Sequence, residues 1–393
     1  MRDVLYLAWR YLAYHKIKTT VLIAAVTITL YLPVGLEVLV SQSAEQLTAR
    51  ARSTPLIIGA KGSPLELVLS SLYFESSAPP VLKCSEMHRA QQSDLGLVIP
   101  ISARFKTRHS PIVGTTLDYF QFRQLTLAQG RSFGMLGECV LGAEAAEKAG
   151  VQPGDKVLTS HEDVFSLTSY PLKMRVVGVL QATGTADDQA VFVDVKTAWV
   201  IEGLGHGHQD LRRPDQAKRI LKKEGKNIVA NASVVEHNEI TPENLASFHF
   251  HGDVGTFPIT AVIVSPKDTK SATLLRGRYV GENEVVQIVE PSEVMDELLQ
   301  TIFTVQSYVT LAIILLGITT LATMGLVLTL SIQQRRREIE TMSKIGGARI
   351  RILGVVVTEI LGVLVLGAVL AAGLAVLTTW CAPAVTRVFI VQS

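Results

Sequence analysis

Residues 298–334 read LLQTIFTVQSYVTLAIILLGITTLATMGLVLTLSIQQ, without one Asp, Glu, Lys, Arg or His. A helix needs roughly 20 predominantly apolar residues to cross about 30 Å of hydrocarbon, and this run is far longer than that. Working outward, residues 19–36 are also uncharged, and only Glu37 interrupts the apolar run to Val40. Residues 360–386 form a third uncharged stretch, preceded by the apolar 352–357. The middle, about 41–297, has ordinary soluble composition. The fold class that follows is membrane α-helical, with three spans, long stalk helices and a large extracytoplasmic mixed α/β domain between the first span and the second.

The whole-chain figures agree. The 393 residues are 48% apolar and only 18% charged, with a mean hydropathy of +0.32. That excludes disorder and is unusual for a soluble protein. A net charge of +2 gives no electrostatic reason to expect nucleic acid. Three cysteines exclude a disulfide scaffold and a four-cysteine zinc module.

Basic residues near the span ends set the orientation. Arg2, Arg10, Lys16 and Lys18 precede the first span, and Arg335, Arg336, Arg337, Lys344, Arg349 and Arg351 lie between the second and third. Both segments are therefore expected in the cytoplasm, with the large domain outside. The first span could instead be a cleaved signal peptide, with Ser41-Gln42-Ser43 at the cut. Against that, Leu5, Trp9 and Leu12 recur at helical spacing, as in an amphipathic helix on the inner membrane surface.

The boundaries that follow are a cytoplasmic elbow helix over 1–18, first span and stalk over 19–52, and the outer domain over 53–291. Stalk and second span occupy 292–334, a cytoplasmic loop 335–351, the third span 352–380 and an outer tail 381–393. Ser292 reads as the N-cap of the second long helix, with Glu293 in its first turn. A helix to Gln334 would run roughly 60 Å, twice the hydrocarbon thickness, unless it breaks near 301–307.

In the outer domain, 139–141, 156–158, 174–180, 190–193, 228–235, 259–264 and 285–289 read as strands. Residues 144–149 and 215–224, stopped by Gly150 and Gly225, read as helices. Residues 259–289 have the pattern of a βαβ unit. The Ser-, Pro- and Gly-rich 53–92 reads as mostly irregular.

Several stretches, in order, carry a resemblance. They are Leu7-Ala8-Trp9-Arg10-Tyr11-Leu12, then Val113-Gly114-Thr115-Thr116-Leu117-Asp118-Tyr119-Phe120 with Gly130-Arg131. Val140-Leu141-Gly142, Val151-Gln152-Pro153-Gly154-Asp155-Lys156-Val157, Val176-Val177-Gly178-Val179-Leu180 and Thr183-Gly184-Thr185 follow. Most specific is Arg335-Arg336-Arg337-Glu338-Ile339-Glu340 through Lys344-Ile345-Gly346-Gly347-Ala348-Arg349. The chain resembles the permease subunits of MacB/FtsX-type ABC transporters, the group that includes LolC and LolE. That resemblance implies a bacterial inner-membrane permease without enzymatic activity. It also implies pairing with a second permease subunit, identical or different, and a cytoplasmic ABC ATPase that binds ATP and Mg. A periplasmic adaptor or lipoprotein is a further possible partner, and membrane lipid surrounds the spans. The chain itself has no G-x-x-x-x-G-K-[ST] phosphate loop, so no cofactor is expected in it. The family usually has a fourth span, which the sequence as given lacks.

Residues 335–345 read as a short charged helix ended by Gly346-Gly347. Arg335, Arg336, Arg337, Glu338, Glu340, Lys344, Gly346, Gly347 and Arg349 are the candidate ATPase-coupling residues, a role the resemblance implies. An anchor to anionic lipid would account for the arginines but not for Glu338 and Glu340. Glu359, inside the third span, is the candidate intramembrane polar residue, and reaches Arg351 only by snorkelling.

Eight of the nine histidines fall in the outer domain. His206 with His208, and His249 with His251, are i, i+2 pairs that share a face in a strand, so either pair is a candidate metal site with a third ligand. His237 lies elsewhere, and His161-Glu162-Asp163 reads as a solvated loop. Cys84 and Cys139 face an oxidising compartment and could pair or stay as buried thiols. No Ser-His-Asp, G-x-S-x-G or H-E-x-x-H pattern is present. Two main functions are compatible: a subunit that extracts or exports a lipid, lipoprotein, peptide or small molecule, or a mechanical relay acting on an outer partner. A metal-handling outer receptor is a third.

Overall fold

The computed structural model describes residues 2–75, 80–160, 171–207, 220–224, 227–230, 238–281, 284–334, 336, 340–341 and 349–392. They form two compact units, Thr48–Asp296 and the remainder, 1–47 with 297–393.

The second unit is helical. Its helices are Arg2–Tyr14, Lys16–Arg52, Pro291–Gln334 and Arg349–Gln392, the middle two also supplying residues to the first unit. Among the described residues, three helices are long and apolar enough to cross a membrane, over Lys16–Gln42, Pro291–Gln334 and Gly354–Cys381. Val26, Met324 and Val363, one from each, form a buried cluster with Leu12, Leu22, Ile23, Ile360 and Leu364 against it. A Cβ at Gly367 would lie 2.6 Å from Val26 Cγ1, so the missing side chain lets the two backbones close, as small residues do between membrane helices. Thr27 Oγ1 reaches the Gly367 carbonyl at 3.3 Å, and Tyr31 Oη meets Thr378 Oγ1 at 2.7 Å. Glu37, the lone charge in the first run, accepts from the Gln306 amide at 2.5 Å.

The helix Pro291–Gln334 runs unbroken for 44 residues. Its start differs from the sequence reading. Pro291, not Ser292, opens it, because a proline fits the first helical position where no N–H partner is needed. Ser292 Oγ instead donates to the Glu290 carboxylate at 3.0 Å.

The outer unit is a mixed α/β domain built on one ten-stranded sheet. Strand Leu56–Ala60 pairs antiparallel with both Ala261–Pro266 and Val286–Val289 and lies between them. Helix Thr269–Arg278 joins those two, so the βαβ unit exists in split form. With helix Cys84–Gln92 and strand Gly96–Thr107, which pairs antiparallel with Ala261–Pro266, the elements run β-α-β-β-α-β. Gly96–Thr107 continues past a bulge to pair with Pro111–Thr115. From there the sheet proceeds through Val191–Asp194, Glu138–Leu141, Lys173–Leu180 and Leu127–Gly130, with Lys156–Ser160 alongside. Everything from 108 to 260 is thus an insertion between two adjacent strands of the first motif.

Two cores result. One gathers Leu56, Ile58, Val262, Val264 and Leu275, the other Ile112, Leu141, Met174, Val176 and Val193. Helix Val195–Ile201 belongs to both: Val195 and Trp199 pack into the first, Ala198, Val200 and Ile201 into the second. Every residue of this helix but Lys196 is buried, so adjoining stripes of it meet both clusters.

Two readings of the sequence change here. Residues 53–92 are not mostly irregular: besides Leu56–Ala60 and Cys84–Gln92 they hold helix Pro64–Val68 and a wide π turn over Leu69–Tyr73. Ile220–Glu224 is not the end of a helix but a strand paired antiparallel with Asn227–Ala230. Its straight-chain residues favour helix in isolation, and the adjacent β-branched Ile228 and Val229 supply a strand partner that overrides this.

Candidate functional site

The last turn of helix Lys16–Arg52 carries Arg50, whose side chain is buried in the outer unit. Arg50 Nη1 donates to Asp187 Oδ2 at 2.6 Å and Nη2 to Asp187 Oδ1 at 2.8 Å, a bidentate pair. Nη2 also donates to Tyr119 Oη at 2.6 Å, and Tyr119 Oη donates to Asp187 Oδ1 at 2.7 Å. Behind it, Arg123 donates to Ser53 Oγ at 2.8 Å and Thr54 Oγ1 at 2.7 Å, the residues that follow the helix. The Phe74 ring covers the Arg50 guanidinium.

The electrostatics follow from burial. Burial alone pushes the Asp187 carboxyl up, but the Arg50 charge, its hydrogen bonds and that of Tyr119 hold it below its ordinary value. Burial would pull Arg50 down; Tyr119 and Asp187 instead hold its guanidinium above its usual range. The Tyr119 phenol is pushed up, chiefly by burial. Arg50 and Asp187 therefore stay ionised at neutral pH.

Three stretches quoted for the resemblance converge on this clamp. Tyr119 comes from the segment 113–120. Thr183-Gly184-Thr185 forms the turn before Asp187: Thr183 and Gly184 backbone N–H groups donate to Asp188, and Thr185 Oγ1 to Asp187. Gly142 passes so close to that turn that a Cβ would sit 2.2 Å from the Asp187 carbonyl and 2.4 Å from that of Asp188. Sequence reasoning misses Arg50 itself, since Ala49-Arg50-Ala51-Arg52 reads as solvated helix; only its partners carry a signal.

A second cluster lies on the short ribbon Gly205–Gly207 paired with Phe248–Phe250. His206 stands opposite His249 in register, and His251 is two residues further on, so all three share a face. Phe248 and Phe250 take the other face and pack on the cores. Candidate ligand atoms of His206, His249 and His251 lie within 4.8 Å of one another. The structure thus brings together three of the four singled-out histidines; His208, like His237 and His161-Glu162-Asp163, lies outside the described residues.

Of the coupling candidates, Arg336 and Glu340 form an exposed i, i+4 pair at 3.4 Å, and Arg349 opens the last long helix. Arg335, Arg337, Glu338, Lys344, Gly346 and Gly347 lie outside the described residues. Glu359 is buried, 6% exposed, in the third apolar helix. Cys84 and Cys139 do not pair: they are free, buried thiols in different cores, and burial pushes both upward from the ordinary thiol value. Segregation into separate packed cores, not redox environment, decides their state.

Set beside known proteins, residues 20–233 match the family description of the MacB-like periplasmic core domain. The crystal structure of the periplasmic region of MacB from Actinobacillus actinomycetemcomitans aligns at 15% identity and a TM-score of 0.35, covering 65% of this chain and 97% of that one. The extracellular domain of the noncanonic ABC-type transporter YknZ from Gram-positive bacteria aligns at 13% identity and a TM-score of 0.33, covering 60% and 98%. No curated protein matches.

Proposed function

The chain belongs to the MacB-like periplasmic core domain family, and from that premise we propose that it is a permease subunit that turns ATP hydrolysis on a partner ATPase into motion of its outer domain. The observation that carries this reading is the Arg50 clamp. The helix that holds the apolar span Lys16–Gln42 also holds Arg50, and Arg50 is fixed by a buried bidentate ion pair. A displacement along that helix is delivered to the sheet through Asp187 and Tyr119 rather than dissipated in a loop.

In this proposal the segment from Arg335 to Arg349 seats in a cytoplasmic ATPase that supplies ATP and Mg. Arg335, Arg336, Arg337, Glu338, Glu340 and Lys344 make the charged contacts, and Gly346-Gly347 give the turn into the last helix. A second permease subunit completes the transporter in a bacterial inner membrane, and Glu359 supports packing between spans. The cargo is lipid-like, a lipoprotein, a peptide or a small molecule, handled at the outer face.

The test is assembly and turnover of the chain with its ATPase. Replacing Arg337, Glu338 and Gly346 should abolish co-purification and ATPase stimulation. Arg50→Gln should leave assembly intact and abolish the effect of the outer domain on turnover. Undiminished assembly after the loop replacements would rule out the coupling role.

A further inference from the structure

We propose that His206, His249 and His251 form a zinc site on the outer domain, with three imidazole ligands and a fourth position for water or a donor from a bound protein. The site goes beyond the permease reading, which needs no metal. Its geometry comes from strand physics. The run Phe248-His249-Phe250-His251 alternates, so the phenylalanines turn inward and the histidines outward. The facing strand is Gly205-His206-Gly207, and each glycine is covered by a phenylalanine ring. A Cβ on Gly205 would meet Phe250 at 2.6 Å, and one on Gly207 would meet Phe248 at 2.6 Å. Phe250 is held edge-on by Trp199, whose Nε1 donates to the Pro258 carbonyl at 2.9 Å. The His251 N–H donates to the Leu204 carbonyl at 3.1 Å, extending the ribbon by one pairing. The three imidazoles therefore project from a packed support.

The spacing of His206 and His251 suits a tetrahedral ion, and the candidate ligand atom of His249 lies within 4.8 Å of both. Ring centroids are 5.2, 4.7 and 4.7 Å apart, nearly an equilateral triangle. His206 Nε2 and His251 Nε2 are 3.3 Å apart. Zinc–nitrogen bonds of about 2.0–2.1 Å at tetrahedral angles put two ligand nitrogens about 3.3–3.4 Å apart. His249 Nδ1 lies 3.0 Å from the Ser247 carbonyl oxygen. A carbonyl only accepts, so Nδ1 carries the proton and Nε2 presents its lone pair, the outer hydrogen bond typical of a metal-bound histidine. A set of three imidazoles selects a borderline ion such as zinc over calcium or magnesium, which take oxygen ligands. Three protein ligands are also the count that leaves zinc an open position.

The experiment uses the full chain purified in detergent and stripped with a chelator. Zinc is titrated against a chromophoric competitor, and cobalt(II) is added separately to read the ligand field. One zinc per chain is expected, with the intense visible bands of tetrahedral cobalt. His251→Ala and His249→Ala, both at exposed positions, should each weaken zinc by more than the roughly 10–100-fold that loss of a ligand's outer hydrogen-bond partner costs and remove the bands, and His109→Ala should change neither. Absence of stoichiometric zinc, or equal binding by a His249→Ala/His251→Ala double variant whose thermal unfolding matches the parent, overturns the site. Assembly with the ATPase is measured in parallel and is expected to survive both substitutions, so failure of the metal site leaves the permease reading standing.

Discussion

A buried guanidinium is stabilised only while its partners remain. Removing one member of a buried ion pair typically costs about 3–5 kcal/mol, because the other charge is left without compensation. Arg50→Met and Asp187→Asn should each destabilise the outer domain by that order, and the double variant by clearly less than the sum. Chemical denaturation of the full chain, followed by Trp199 fluorescence in a background with Trp9 and Trp380 replaced by phenylalanine, reads this; additive losses would mean the pair is not coupled. Asp187 also sets an acid limit. Its carboxyl is held below its ordinary value of 3.8, so its contribution is present above that pH and is lost as pH falls through the lower, folded value. Stability should drop below about pH 4, and Asp187→Asn should flatten that drop. Cys84 and Cys139 should resist alkylation until the domain unfolds, a contrast readable by mass spectrometry. Little of the clamp is legible in the sequence: the segments bearing Tyr119 and Asp187 stand out, but a lone arginine between alanines in a helix carries no sign of burial, which only the tertiary fold confers.

Segments that alternate or end in glycine are legible, as in Lys173–Leu180 and in helix Ala143–Ala149 with its Gly150 stop. Strand Gly96–Thr107 is not, because Pro100 sits in its middle and a proline argues against a central strand. Here Pro100 is opposite Val262 in the ladder, and its carbonyl accepts from Thr115 Oγ1 at 2.8 Å. The histidine ribbon is half legible: the i, i+2 pairs are visible, but that His206 faces His249 is set by a pairing across more than forty residues. At this scale Gly142→Ala is informative. Its Cβ would press on the backbone of the Asp187 turn, and overpacking of that kind costs about 1–3 kcal/mol. Gly367→Leu should likewise force apart the helices that meet at Val26. Heat stability in detergent reads both; an unchanged melting temperature in either would mean the backbones yield without cost.

Across the whole molecule the apolar helices are exposed to a degree that water does not tolerate: Leu311, Leu315, Leu326 and Leu370 are each more than half exposed. A lipid bilayer is the solvent these faces require. Nitroxide probes at Leu315 and Leu326, with the chain in liposomes, should be reached by oxygen from the lipid phase more than by an aqueous nickel chelate. The opposite ranking would remove the second long helix from the membrane. The existence and position of the three apolar runs are legible from hydropathy alone, since a stretch as long as 298–334 without a charge finds its matching solvent only in hydrocarbon.

Helix Val195–Ile201 has a mechanical consequence for the outer domain. A receptor that captures by closing two lobes needs a pivot between them, a place where packing can part and re-form. In the outer domain that place is filled by a helix buried into both clusters, beside a sheet that continues from one to the other. The domain is therefore built as one continuous piece rather than as two lobes about a pivot. In the proposed permease, cargo would then be gripped on the surface of this domain, and the domain would move as one piece with any stroke that reaches Arg50.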